Sequence, residues 1–197
     1  FKSEATEKNF LQALQSIENG AKKNLKGLII DLRNNPGGLL EQALKIGDLF
    51  ISSGQIVSIK AQKSENNKVY FAKKRKKKYT TLPLVILINE GTASSAEIVA
   101  GALQDHKRAT LIGMKSYGKG TVQTILPIPP GYTAIRLTTG LYHTPLGRSI
   151  DGKGIHPHIK VPNDPPAHAS SIKDYPRWYA LQLLKFLNQR KIYCKFN

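Results

Sequence analysis

Apolar residues in the first half of the chain recur at helical and strand-like spacing in turn, which predicts a regular succession of helices and strands. Helical spacing predicts one helix from Glu4 to about Asn19 and a second from Leu39 to about Ile51. Between them, Leu28-Ile29-Ile30 is a short apolar run typical of a buried strand. Asn34-Asn35-Pro36-Gly37-Gly38 predicts a tight turn, because proline and paired glycines interrupt regular structure.

The centre of the chain repeats this order. Leu84-Val85-Ile86-Leu87-Ile88 is continuously apolar, as expected for a strand that is covered on both faces. Asn89-Glu90-Gly91 predicts a turn into a helix from about Ser94 to Asp105, and Thr110-Leu111-Ile112-Gly113 predicts the next strand. Strands and helices that alternate in this way indicate the α/β class.

Further strands and a final helix complete the prediction. They comprise strands at Ile56–Ile59 and Val69–Phe71, a hairpin of Val122–Ile128 and Tyr132–Thr139, a strand at Leu141–His143, and a helix from Asp174 to about Arg190. Prolines between Pro162 and Pro166 set the last helix apart, so we expect a core of residues 1–162 and a C-terminal segment of residues 163–197. No apolar run approaches the ~20 residues that span a bilayer.

The chain is strongly basic, with a formal net charge of +17 over 197 residues. Much of this charge lies in the block Lys73–Lys78, which we interpret first as a solvated loop. No aromatic residues interleave the block, so we do not predict a specific nucleic-acid site. An anionic membrane surface is the functional alternative for this block.

Cysteine and histidine usage restricts the chemistry. Cys194 is the single cysteine, which excludes an internal disulfide and a cysteine-based metal cluster. His156-Pro157-His158 has no supporting carboxylate cluster, so we predict neither a metal nor an organic cofactor. A Ser-His-Asp triad is not favoured either, because Asp105 and His106 are neighbours on one predicted helix and do not face each other.

Ser94 stands at the predicted start of a helix, where two interpretations are open. Ser94 and Glu97 have the spacing of a capping box, which is a structural role. The same position lies beside unpaired backbone amides at the positive end of the helix dipole, and such amides stabilise the oxyanion of an acyl-transfer reaction. Gly91, Ala93 and Ala96 are small enough for a substrate backbone to approach closely.

Lys119 lies between Gly118 and Gly120, directly before a predicted strand. Its structural interpretation is that of a turn residue, and the segment lacks the pattern of a phosphate-binding loop. A lysine acts as a base only when it loses its proton near neutral pH, which burial in a low-dielectric site favours. Gln123, four residues later, could orient the amine through its side-chain carbonyl.

Four motifs in order along the chain resemble those of the C-terminal processing peptidases, also called tail-specific proteases, of peptidase family S41. The resemblance runs from about Asn19 to Pro162. It implies a crotonase-like α/β core that carries out serine peptidase chemistry with a Ser/Lys dyad. The four motifs are Leu28–Leu40, Asn89–Asp105, Tyr117–Gln123, and Thr144–Ile150 with Gly152–Ile155.

The resemblance also implies the catalytic roles. Ser94 corresponds to the nucleophile, Lys119 to the general base, and Gln123 to the residue that positions the lysine. Ser94 is followed by a second serine, and alignment on Gly91 and Glu97 selects Ser94 as the nucleophile.

Supporting positions follow from the same resemblance. The oxyanion hole is expected to use the backbone amide of Ser95 together with that of Gly37 or Gly38. Asp105 matches an acidic position near the site in some members, and helix capping or a salt bridge is its structural alternative.

The family resemblance sets further expectations for substrates and surroundings. Substrates are expected to be unfolded or flexible polypeptides with apolar C-terminal tails. Members normally carry a PDZ domain, which captures C-termini by strand addition, and we expect the core to begin after it, truncated at Phe1. Placement outside the cytoplasm, in a bacterial periplasm or at a membrane, is implied, and oligomerisation stays open. The alternative function is a non-catalytic basic module that binds anionic membrane or nucleic acid.

Overall fold

The computed structural model describes residues 1–22, 24–73, 79–131 and 133–193. Two four-stranded sheets and four α-helices make up this part of the chain. The elements are α1 (Thr6–Gly20), β1 (Leu28–Asp31), α2 (Leu40–Asp48), β2 (Gln55–Ala61), β3 (Lys68–Phe71), β4 (Leu84–Ile88), α3 (Ser95–Asp105), β5 (Thr110–Gly113), β6 (Thr121–Ile128), β7 (Thr133–His143), β8 (Ile159–Lys160) and α4 (Tyr175–Tyr193).

The first sheet is parallel, with strand order β1-β4-β5-β8. All five residues of β4 are buried because helices cover both faces of this sheet. Ile86 and Ile88 belong to the larger core, together with residues of α2 and α3. Val85 and Leu87 point to the opposite face, where Ala180 and Leu184 of α4 pack against them. The predicted α/β class is confirmed.

The second sheet is antiparallel, with strand order β3-β2-β7-β6. The prediction of a separate strand at Leu141–His143 was wrong, because β7 continues without a break through Gly140 to His143. Gly140 pairs with Ala61 on one side and with Val122 on the other, so both neighbouring strands hold this stretch extended. The outer part of the β6–β7 hairpin is exposed on both faces.

Some predicted features fall at the margins of the described residues. Cys194 and all of the basic block except Lys73 lie outside them. The backbone N–H of Lys73 donates to Asp48 Oδ1 at 2.6 Å, at the end of α2. Among the residues described, no helix combines the length and the apolar character needed to cross a bilayer.

Candidate active site

Three turns that follow parallel strands meet at one edge of the first sheet. The glycine turn (Asn34–Gly38) follows β1, the serine turn (Asn89–Ser94) follows β4, and the lysine turn (Met114–Gly120) follows β5. Because β1, β4 and β5 are neighbours and run in the same direction, their carboxyl ends bring these turns together. This edge is where open α/β sheets usually bind ligands.

Ser94 occupies a strained position between β4 and α3. Its backbone has φ 56° and ψ −123°, which a non-glycine residue rarely adopts and which is typical of functional sites. The side chain is partly exposed. Ser95 differs, because it is 2% exposed and its Oγ has no hydrogen-bond partner among the described residues. Of the two adjacent serines, only Ser94 presents its side chain towards solvent.

Glu97 connects the serine turn to the lysine turn. Its side chain is fully buried, and its carboxylate accepts four hydrogen bonds. Oε2 accepts from the backbone N–H groups of Ser94 and Lys119, each at 2.8 Å. Oε1 accepts from the Gly118 N–H at 2.6 Å and from the Ser116 hydroxyl at 2.5 Å. One carboxylate therefore fixes the backbone of both residues expected to form the dyad.

This role of Glu97 exceeds what its sequence spacing indicated. The Ser94–Glu97 capping box is present, as the spacing predicted. The contacts to Ser116, Gly118 and Lys119 bridge about twenty residues of sequence, so a local pattern could not reveal them.

The Lys119 side chain is exposed. Its backbone is held firmly, because the Gly152 N–H donates to the Gly118 carbonyl at 2.9 Å and the Tyr142 N–H donates to the Gly120 carbonyl at 2.7 Å. The described residues therefore position the lysine without providing the burial that its expected role as a base requires. Gln123 lies four residues further on in β6, and its side chain is also exposed.

Gly37 packs directly against the serine. A Cβ atom on Gly37 would lie 2.8 Å from both the Ser94 Cβ and the Ser95 backbone nitrogen, and its φ is +90°. Only glycine fits this position. The Gly37 N–H donates to Asn35 Oδ1 at 3.0 Å, so this amide is already engaged. Of the two glycine amides expected in an oxyanion hole, that of Gly38 is therefore the better candidate.

The Ser95 amide is the other expected donor. Ser95 is the first residue of α3, and the N–H groups of the first turn have no acceptor within the helix. A Cβ atom placed on Gly37 would lie 2.8 Å from this nitrogen, so the amide is beside the glycine turn.

Side-chain amides bind the glycine turn to the serine turn. Asn89 Oδ1 accepts from the Asn34 N–H at 2.8 Å and from the Gly91 N–H at 3.1 Å, while Asn89 Nδ2 donates to Asn34 Oδ1 at 3.0 Å. The Thr92 hydroxyl donates to the Leu32 carbonyl at 2.8 Å. Asn34 and Asn89 were predicted only as turn residues. Asn89 directly follows β4 and Asn34 comes three residues after β1, so an asparagine soon after a buried strand was a usable signal.

Asp105 lies at the far end of α3, about 16 Å along the helix axis from its start. Its carboxylate is 2% exposed, forms a salt bridge with Arg148, and accepts from the Leu146 N–H at 2.9 Å. Asp105 therefore has the structural role, a salt bridge, that was the alternative to a place near the active site. It does not lie beside the glycine, serine and lysine turns. The described residues also contain no group of three His, Cys, Asp or Glu side chains suited to a metal ion.

Comparison with known proteins agrees with the sequence motifs. The sequence profile of Peptidase family S41 matches residues 1–161. The chain is 49% identical over 160 residues to the carboxy-terminal-processing protease of Bartonella bacilliformis, covering 79% of this chain and 36% of that protein. It is 44% identical over 159 residues to the carboxy-terminal processing protease CtpA of Bacillus subtilis, covering 81% and 33%. The chain thus spans about a third of the length of these curated relatives.

Solved structures extend the agreement to the fold. A photosystem II D1 C-terminal processing protease superposes with a TM-score of 0.72 at 30% identity, covering 85% of this chain and 43% of that one. The tricorn protease, at 20% identity and a TM-score of 0.50, shares the fold. These matches do not favour the alternative of a non-catalytic basic module. The profile match, the identity to processing proteases and the shared fold together show that the chain belongs to peptidase family S41.

Proposed function

We propose that this chain is the catalytic part of a serine endopeptidase in which Ser94 and Lys119 form the dyad. The observation that carries the proposal is the Glu97 carboxylate, which accepts the backbone N–H of Ser94 and that of Lys119 on the same oxygen. A purely structural cap on α3 would not need the second of these bonds. The curated relatives named as processing proteases support the peptidase activity in this proposal.

In the proposed reaction, Ser94 Oγ attacks the scissile carbonyl while the neutral amine of Lys119 takes its proton. The backbone amides of Ser95 and Gly38 stabilise the oxyanion. Lys119 then gives the proton to the leaving amine, and later activates the water that hydrolyses the acyl-enzyme. Gln123 orients the amine of Lys119.

Exposure of the Lys119 side chain requires a further element in this mechanism. We propose that the bound polypeptide covers the lysine and removes water from around its amine, because burial disfavours the charged form. The base is then activated only when substrate is present.

The proposed substrates are unfolded or flexible polypeptides, cleaved near apolar C-terminal tails. The relatives' names refer to carboxy-terminal processing. The β6–β7 hairpin, which begins two residues after Lys119, offers apolar surface for such tails. Its exposed apolar side chains, each 40–63% accessible, are Ile125, Leu126, Ile128, Ile135 and Leu137.

Two further proposals concern the location of the protein and its attraction to membranes. The first rests on the family resemblance alone, and the second on charge alone. We place the protein outside the cytoplasm, as the family resemblance implies. Attraction of the block Lys73–Lys78 to an anionic membrane surface stays a prediction, because most of the block lies outside the described residues.

The test is mass-spectrometric analysis of the cleavage of an unfolded protein with an apolar C-terminus. We expect the wild type and Ser95→Ala to cleave it, and Ser94→Ala and Lys119→Ala to lose cleavage. Cleavage that survives Ser94→Ala would contradict the assignment of the nucleophile.

A further inference from the structure

We infer that Asp174 is a positioning residue for the active site, because it holds Arg33 and thereby fixes the glycine turn from the C-terminal helix. This inference rests on the proposed function. Asp174 and α4 lie beyond residues 1–161, which the family profile matches, so the inference concerns a part of the chain to which that match gives no role.

The first step is the ion pair itself. Arg33 Nη1 and Nη2 donate to Asp174 Oδ1 and Oδ2 at 2.8 and 2.9 Å, which is a bidentate arrangement. On the other side, Arg33 Nε donates to Asp31 Oδ1 at 3.0 Å and Nη2 to Asp31 Oδ2 at 2.6 Å. The Arg33 side chain is 17% exposed, so these two carboxylates fix the guanidinium in a largely buried position.

The second step leads from Arg33 to the active site. Arg33 lies between Leu32, whose carbonyl accepts the Thr92 hydroxyl, and Asn34, which pairs with the Asn89 side chain. Asn34 has φ 55°, so the chain turns sharply one residue after Arg33. A displacement of Arg33 would therefore move the glycine turn and, through these hydrogen bonds, the serine turn.

The third step concerns what holds Asp174. Asp174 Oδ1 accepts the Arg177 N–H at 3.2 Å, and the Asp174 carbonyl accepts the Trp178 N–H at 3.0 Å, so the residue caps α4. The helix is docked by Ala180 and Leu184, which lie in one cluster with residues of β4 and β5. The packing of α4 on the sheet thus sets where the Asp174 carboxylate stands.

The protonation state of Asp174 is suited to this role. Hydrogen bonds from Arg33 hold the pKa of Asp174 below its ordinary value. A depressed pKa means that the stabilisation is present above the ordinary value and is lost only as the pH falls through the lowered one. The pair is therefore intact throughout the neutral range in which a peptidase assay is run.

The test compares Asp174→Asn with Asp164→Asn, an exposed aspartate in the same C-terminal segment. Asparagine is as good a helix cap as aspartate, so Asp174→Asn keeps α4 capped but removes the charged pair. We expect kcat to fall about tenfold with KM within about twofold of the wild type, because a misplaced catalytic group costs turnover. Asp164→Asn should keep both constants.

A double-mutant cycle with Arg33→Gln separates positioning from general stability. We expect the effects of Arg33→Gln and Asp174→Asn on kcat to be non-additive, because both remove the same contact. A wild-type kcat in Asp174→Asn, even with a lowered melting temperature, would overturn the inference, and so would additive effects. Ser94→Ala is measured alongside. Cleavage by that variant would show that the proposed function fails, whereas its inactivity beside a normal Asp174→Asn would show that only this inference fails.

Discussion

The buried carboxylate of Glu97 gives the sharpest test of how the site is assembled. Glu97→Gln keeps the size of the side chain but removes its charge and turns one acceptor oxygen into a donor NH₂ group. If the remaining oxygen stays on Ser94 and Lys119, the NH₂ group faces the Gly118 N–H, and that hydrogen bond is lost. The Ser116 hydroxyl can rotate to accept from the new amide.

The magnitude follows from the number and kind of these bonds. Hydrogen bonds to a charged group contribute about 1.5–3 kcal/mol each and neutral ones about 1 kcal/mol. The variant loses one bond and weakens three, while it no longer has to bury a charge, which offsets part of the loss. We expect the free energy of unfolding to fall by about 2–4 kcal/mol. At roughly 2–4 °C per kcal/mol, this lowers the melting temperature by roughly 5–15 °C.

We expect kcat of Glu97→Gln to fall even at temperatures where the variant is fully folded, so loss of folded protein will not explain the change. Ser94 and Lys119 are positioned through the same carboxylate, so we expect kcat to fall by about 10- to 100-fold at a temperature well below unfolding. The assay is steady-state cleavage of an unfolded protein, with thermal unfolding followed in parallel. Glu90→Gln is the matched control, because Glu90 is an exposed glutamate in the serine turn. A Glu97→Gln variant with wild-type melting temperature and kcat would refute this account of the site.

Two further substitutions test single contacts at the site. Gly37→Ala should lower kcat at least 100-fold, because its Cβ would lie 2.8 Å from the Ser94 Cβ. Gly147→Ala, whose φ of +79° is similar but whose Cβ meets nothing within 4 Å, should cost only backbone strain of about 1–2 kcal/mol and keep kcat. Equal kcat losses in both variants would mean that the close approach is unimportant. Ser95→Ala should keep kcat and change the unfolding free energy by no more than about 1 kcal/mol, because the Ser95 Oγ has no partner in the described part of the chain. A large loss of kcat in Ser95→Ala would question which serine reacts.

The sequence predicted the central strands well because their apolar runs end at turn residues. The bounds of Leu84–Ile88 and Thr110–Gly113 match β4 and β5 in the structure. By contrast, β8 has only two residues and is held by pairing with β5, so it carries no pattern of its own.

The turns that carry the candidate site residues could be predicted from the sequence, but the hydrogen bonds that join these turns could not. The family resemblance of their motifs selected Ser94 and Lys119, whereas the Glu97 carboxylate joins them only after the chain has folded. The exposure of Lys119 depends on what covers the turn, which spacing does not encode. The position of Asp105 was deducible, because an 11-residue helix separates its two ends by about 16 Å.

The most direct test of the central claim is covalent labelling of the serine nucleophile. The protein is treated with a peptidyl phosphonate, whose peptide part occupies the site and covers Lys119 as a substrate would and whose phosphorus reacts with an activated serine. The modified peptide is then located by mass spectrometry. We predict a single adduct on Ser94 that is absent in Ser94→Ala, persists in Ser95→Ala and forms at least tenfold more slowly in Lys119→Met. An adduct on Ser95, or labelling of Ser94 at an unchanged rate without Lys119, would contradict the proposed dyad.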